Sequence, residues 1–249
     1  MGFQLPFPAA TFKYADGEPA DMDVLPDHTQ RFLAATAPEH TPVQAEMAEL
    51  AAESGFPNIG PEAGGVLRLL ARLTDAERVF EFGSGFGYSA TWFLRGGADH
   101  VVCTEFDADE AEQGEAFAAE YGYDDDVTFE VGDAMETVER YDGPFDVVLV
   151  DHQKHRYADA YEAIKPKLAD GAVVVADNIT AGPIDFGDLL AYFESGVELP
   201  LDDTETRGIA KYVDVVREDD DLDTSILPVG SGIAVSVKRD GGGSVVERL

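Results

Sequence analysis

Short apolar runs alternate along this chain with longer stretches of helical spacing, and their order predicts strands and helices in turn. Val79, Phe80 and Phe82 form the first run, HVVCTEF at His100 to Phe106 the second, and VTFEV at Val127 to Val131 the third. The branched residues before Asp151 and before Asp177 are unbroken by polar positions. That is the pattern of parallel strands covered on both faces. Ahead of the first run, Thr41, Pro42 and Gln44 form a capping box, and Val43, Met47, Leu50 and Ala51 mark a helical stripe expected to be buried. A second leading helix starts near Pro61 and carries Val66, Leu69 and Leu70. After the fifth run, residues 182–206 are expected to form a mobile segment with one short helix over Phe186 to Phe193. A further helix is expected over Gly208 to Arg217. The last two runs, LDTSILPV and GIAVSVKR, are joined through Gly230 to Gly232, a connection so tight that it demands an antiparallel pair. One α/β domain over residues 28–240 accounts for this order in a chain of 249 residues. Residues 1–27 read as an N-terminal extension, and 241–249, with GGGS, as a flexible tail.

Chemistry-bearing residues stand at the ends of these runs, where open α/β sheets place their ligands. Gly83, Ser84, Gly85, Phe86 and Gly87 follow the first, ahead of a helix opening at Tyr88 and Ser89. Glycines there let the chain turn tightly and bring backbone N–H groups and a helix N-terminus against a ligand. Glu105 closes the second run, where an acidic side chain accepts hydrogen bonds from ribose hydroxyls. Gly132, Asp133 and Ala134 follow the third, placed to line an adenine pocket. Together they describe a site for a nucleoside-bearing cofactor. A dinucleotide site keeps GxGxxG under its pyrophosphate, whereas this loop reads GSGFG, with Glu81 in the strand just before it. A carboxylate there repels pyrophosphate and favours a cationic ligand, so charge selects S-adenosylmethionine over NAD.

Asp151, Asp177 and Asn178 add two carboxylates and an amide oxygen at one sheet edge. Hard oxygen donors of this kind suit Mg²⁺ or Ca²⁺, while the plainer alternative is that both aspartates cap the turns that follow.

In this order the motifs EFGSGFGYSA at Glu81 to Ala90, Glu105, GDA at Gly132 to Ala134, DHQKHRY at Asp151 to Tyr157 and ADN at Ala176 to Asn178 resemble the metal-dependent O-methyltransferases of the catechol and caffeoyl-CoA type. The similarity runs from about Thr41 to about Arg239. It implies a Rossmann-like seven-stranded methyltransferase sheet, mostly parallel with an antiparallel C-terminal strand, and helices on both faces. It also implies S-adenosylmethionine as cofactor, Mg²⁺ or another divalent cation, and a small-molecule hydroxylated acceptor, a vicinal diol. By resemblance the metal ligands are Asp151, Asp177 and Asn178, and the catalytic lysine is Lys154. Gly83, Tyr88, Ser89, Glu105, Asp133, Ala134 and His152 fall where the family holds its cofactor. Glu81, Ser84, Gly85, Gly87 and Asp151 complete the expected cofactor site, with Ile59, Pro61 and Glu62 on the helices that cover it. Two positions depart from the catechol enzymes. Gln153 stands where they stack an aromatic ring on adenine, and their late glutamate falls near Thr224 or Ser225. The acceptor is therefore open. Family members form dimers or act as monomers, so a homodimer is one expected state.

The implied chemistry is in-line methyl transfer from a sulfonium to an oxyanion. A phenol, like tyrosine, has a pKa of about 10, and lowering it by about three units through a bound dication gains about 4 kcal/mol. Burial of Lys154 beside a cation favours the neutral amine that a general base requires. Arg156 and Tyr157 are expected to anchor the turn and pack the next helix, and His155 to lie on the surface. His28, His40 and His100 show no metal spacing, and Ser84 and Ser89 belong to no Ser/His/Asp set.

Composition narrows the surroundings. Fifty acidic residues against 17 basic give a net charge of −33, with 45% hydrophobic content that argues against disorder. Such a chain repels itself in dilute buffer, and at about 1 M salt the Debye length of about 3 Å relieves that repulsion. A salt-rich cytoplasm, as in a halophile, is the expected setting. No basic patch is visible to neutralise phosphates, so nucleic acid is excluded as a partner. The single cysteine, Cys103, excludes a disulfide framework, and no signal-like segment or long apolar run points to a membrane. Two other functions stay open from the residues: a nucleotide-dependent oxidoreductase, disfavoured by Glu81 and the antiparallel ending, and a noncatalytic cofactor-binding or interaction protein.

Overall fold

A computed structural model describes residues 24–239. Most of the expected extension, residues 1–23, and the whole expected tail lie outside the described residues. Three helices come first: α1 (Asp27–Thr36), α2 (Pro42–Ser54) and α3 (Gly60–Leu73). Then strands and helices alternate as β1 (Arg78–Phe82), α4 (Tyr88–Gly96), β2 (His100–Glu105), α5 (Ala108–Tyr121), β3 (Val127–Val131) and the short α6 (Ala134–Thr137). They continue as β4 (Phe145–Val150), α7 (Tyr157–Ile164) and β5 (Leu168–Ala176). After α8 (Phe186–Ser195) and α9 (Thr204–Glu218), β6 (Leu222–Leu227) and β7 (Ile233–Lys238) complete one sheet, in the order β3-β2-β1-β4-β5-β7-β6. The first five strands are parallel, and β7 runs antiparallel to both β5 and β6. This is the expected Rossmann-like sheet. Its chain order reverses between β1 and β4, the kind of switch point at which doubly wound sheets open a ligand crevice.

Alternation along the strands sends side chains to two cores. Phe80, Phe82, Val148, Val150 and Val174 pack on one face with Tyr157, Tyr161, Ile209 and Tyr212 of α7 and α9. Val79, Val147, Leu149, Val173 and Val175 pack on the other with Met47, Leu67, Trp92 and Phe93 of α2, α3 and α4. The capping box at Thr41 forms as expected, but the buried face of α2 includes Gln44 beside Met47 and Ala51. Gln44 can be buried because its amide donates to Thr91 Oγ1 at 3.0 Å and accepts from Arg95 at 2.8 Å. In α3 the buried residues are Ala63, Gly64, Leu67 and Ala71, whereas Leu69 is exposed. Val66 and Leu70 pack half-buried against this core, as expected, and only Leu69 departs from the expected stripe, because the small residues Gly64 and Ala71 make the closest approach to α4. The segment after β5 also differs from expectation. α9 begins at Thr204, four residues before Gly208, since the Asp203 carboxylate accepts from Thr206 N at 2.9 Å and caps it there.

Gly64 shows how tight the contact between α3 and α4 is: a β-carbon there would lie 2.4 Å from the fully buried Trp92 indole. Gly64→Ala should therefore lower unfolding stability by about 1–3 kcal/mol despite alanine's better helix propensity. Urea unfolding checks this. A stabilised variant would mean that the Trp92 ring gives way at little cost.

Candidate active site

Both loops at the switch point are built on backbone constraints. After β1 the chain turns through Gly83, Gly85 and Gly87, all at positive φ. A β-carbon at Gly83 would stand 2.7 Å from the Asp151 carbonyl, so only glycine lets the β1 loop rest on the chain leaving β4. Glu105, buried at the end of β2, accepts from Gly85 N at 2.9 Å through Oε2 and from Asp107 N at 3.0 Å through Oε1. The carboxylate expected at a ribose thus also fixes the glycine loop. Ser84 donates its hydroxyl to Gly85 O, within the loop itself.

Glu81 is fully buried beside Cys103, whose thiol donates to Oε2 at 3.3 Å, while Oε1 has no hydrogen-bond partner among the described residues. Burial pushes its carboxyl up to about 7, with the Ser89 hydroxyl and the Cys103 thiol pulling the other way. A buried carboxyl with an open oxygen next to a glycine cradle suits a cationic group. Tyr88, also in the expected set, turns its hydroxyl to His40 Nε2 at 2.7 Å and so ties α4 to the segment before α2.

Across the crevice, in-register pairing of Val150 with Ala176 brings Asp151 and Asp177 side by side. Asp151 N donates to Phe82 O at 2.8 Å, and Asp177 N to Val150 O at 3.2 Å. Asn178 follows in the left-handed region at φ 60°. Lys154, 6% exposed, donates from Nζ to Asp151 Oδ1 and to Tyr157 Oη, both at 2.8 Å. Asp177 Oδ1 is buried and has no partner among the described residues. Burial drives the Asp177 carboxyl up to about 8, with the Asp151 charge adding to the rise. Asp151 is raised by burial as well, against the pull of Lys154. Among the described residues no group of three or more His, Cys, Asp or Glu side chains is arranged to hold a metal ion. The expected set is two carboxylates and an amide, and its orphaned Asp177 oxygen fits a hard cation.

Asp133 caps α6 by accepting from Met135 N at 2.9 Å and takes a hydrogen bond from Arg156 at 3.0 Å. That guanidinium holds its carboxyl below the usual range. Ala134 next to it is buried. His152 lies stacked on Tyr157 at 5.6 Å with an 8° interplanar angle, and neither ring nitrogen has a partner among the described residues. Burial, aided by the Arg156 and Lys154 charges, takes the ring down to about 3, so it is a neutral imidazole. Glu81 lies inside β1, and Ile59, Pro61 and Glu62 at the start of α3; the other expected site residues lie at the carboxyl ends of β1 to β5 and on the loops and helix starts that follow them. The role of Arg156 at Asp133, and of Tyr157 at Lys154, went beyond the turn-anchoring expected from sequence. Glu205, bonded to Lys154 N at 2.9 Å, was missed altogether, since nothing local to its position points across the chain. Neither Thr224 nor Ser225 supplies a carboxylate, and the Thr224 hydroxyl is spent on Val216 O and Ser236.

Comparison with known proteins agrees with this fold. A methyltransferase domain family matches residues 80–179, from β1 through the loop after β5. The catechol O-methyltransferase of Mycobacterium tuberculosis is 31% identical over 230 residues, covering 88% of this chain and 99% of that protein. Among solved structures, a cofactor-bound protein from MTB is 27% identical, with a TM-score of 0.73 over 88% of this chain and all of that one. The O-methyltransferase of Bacillus cereus in complex with SAH is 20% identical and shares the fold, with a TM-score of 0.72 over 85% of this chain and 97% of its own. The chain belongs to the class I S-adenosylmethionine-dependent O-methyltransferases. Among the described residues no helix is long and apolar enough to cross a membrane.

Because the folded-state pKa of Glu81 lies above its ordinary 4.5, its contribution to stability is fully present below that value and is lost as pH rises through about 7. Glu81→Gln keeps an acceptor for Cys103 without the charge. Relative to the wild type, the variant should gain about 3 kcal/mol between about pH 4 and pH 8. Parallel urea titrations across that range measure it, and a pH-independent difference between the two proteins would rule out the buried ionisation.

Proposed function

We propose that this protein transfers a methyl group from S-adenosylmethionine to one hydroxyl of a catechol-like vicinal diol, assisted by a divalent cation. The observation that carries this reading is the Asp151, Asp177 and Lys154 cluster beside the glycine loop: two adjacent carboxylates, one with an unpartnered buried oxygen, and an amine 2.8 Å from the first. The name of the M. tuberculosis relative supports a catechol as acceptor class.

On the cofactor side, Glu81 receives the cationic amino-acid end and Glu105 the ribose. Gly83, Gly85 and Gly87 give the close backbone approach, with Tyr88 and Ser89 at the start of α4. Asp133, Ala134 and His152 form the adenine end, where the flat neutral imidazole takes the part of an aromatic surface beside Gln153. When bound, S-adenosylmethionine supplies a methyl group on a positively charged sulfur, which departs as a neutral thioether. Asp151, Asp177 and Asn178 would hold the cation, whose charge stabilises the acceptor oxyanion. Lys154, as the neutral amine, takes up the proton of the acceptor hydroxyl at Nζ and becomes an ammonium paired with Asp151, and the acceptor oxygen bonds to the methyl carbon as the carbon–sulfur bond breaks. Tyr157 Oη, with its pKa raised by burial, stays protonated and steadies the lysine.

The experiment is calorimetric titration of S-adenosylmethionine followed by Mg²⁺-dependent turnover of catechol. Lys154→Ala should lower kcat by about 10²-fold or more while leaving cofactor affinity within about twofold. Turnover unchanged by chelating the metal, or by Lys154→Ala, refutes the mechanism.

We further infer that the net charge of −33 suits the chain to concentrated salt. Unfolding temperature should rise between 0.1 M and 2 M KCl, and a flat or falling trend would exclude this.

A further inference from the structure

The turn that carries Lys154 is gripped from outside the sheet. Glu205, in the first turn of α9, accepts from Lys154 N at 2.9 Å through Oε2 and meets His155 Nδ1 at 3.0 Å through Oε1. One turn further on, a β-carbon at Gly208 would lie 2.4 Å from Lys154 O and from His155 Cα. Glycine at that position is what allows α9 to come close enough for the grip. Thr206, fully buried between these two, accepts from Asp185 N at 2.8 Å, and Asp185 caps α8. The first turn of α9 therefore holds the chain after β4 and the chain after β5 together. Capping does not require Glu205, because Asp203 already supplies the N-cap of α9. Both Glu205 oxygens are spent on the turn of residues 154–155.

We propose that Glu205 is a positioning residue: it fixes the backbone beneath Lys154 and so aims Nζ at the acceptor oxygen. The proposal rests on the reading of Lys154 as the proton acceptor. A base misplaced by about 1 Å can cost up to about 10²-fold in rate, so loss of the grip should appear in kcat rather than in cofactor binding.

The test compares the full chain with E205A, E205Q, K154A and the K154A/E205A double variant, using S-adenosylmethionine, Mg²⁺ and catechol. E205A should lower kcat by about 10-fold to 10²-fold with cofactor Kd within about twofold. E205Q, whose amide oxygen still accepts from Lys154 N, should recover most of the loss. In the K154A background E205A should have no further effect. Wild-type kcat in E205A, or an equal loss with and without Lys154, overturns the positioning role. Wild-type kcat in K154A overturns the assignment of Lys154 itself, and the positioning role with it. Hydrogen exchange at the Lys154 amide reads the grip without any acceptor: faster exchange in E205A confined to residues 152–157 supports it, and unchanged exchange overturns it.

Discussion

In-register pairing of two parallel strands is the constraint on which the rest of this molecule depends. Because Val150 lies against Ala176, the next residue on each strand is an aspartate, and the two carboxyls emerge together at the edge of a buried sheet. Like charges this close and this poorly solvated cannot both be ionised cheaply. Lys154 donates to one of them at 2.8 Å, while Asp177 keeps an oxygen with no partner among the described residues. A register slip of one residue would turn both aspartates away from each other and dissolve the site.

The neighbouring strand β1 contributes the opposite kind of element, an almost bare backbone. Its glycines do not merely permit a turn; Gly83 is pressed on the Asp151 carbonyl, and Gly85 is bonded to Glu105. The glycine loop is thereby fixed by the same residues to which the proposed chemistry on either side is assigned. Glu81, beneath the loop, holds an unpaired oxygen that costs folding energy when ionised. Retaining such a group is the mark of a site shaped for a ligand rather than for stability.

Much of this was legible in the sequence because buried parallel strands write themselves as uninterrupted branched runs. The strand pattern alone places the residues following VLV and AVVVA at one edge, and the tight link at Gly230 to Gly232 requires the antiparallel ending that β6 and β7 form. Helix faces were less readable. Leu69 looked like a core residue and is exposed, because α3 meets α4 through Gly64 and Ala71, whose small size carries no hydrophobic signal. Gln44 reads as polar and is fully buried, for its partners Thr91 and Arg95 lie far along the chain. Glu205 escaped notice for the same reason: its contacts are set by the packing of α9 on the turn of residues 154–156, which no local pattern encodes.

The outer stretch between α8 and α9 is a different kind of surface. From Glu194 to Asp202 only Leu199 is buried, whereas Asp203, Glu205, Thr206 and Gly208 immediately after it are committed to contacts within the molecule. The boundary between exchangeable and fixed parts therefore falls at a single helix cap. Insertions, deletions or recruited loops could accumulate on one side of Asp203 through descent, altering what approaches the sheet edge, while the machinery on the other side is inherited intact.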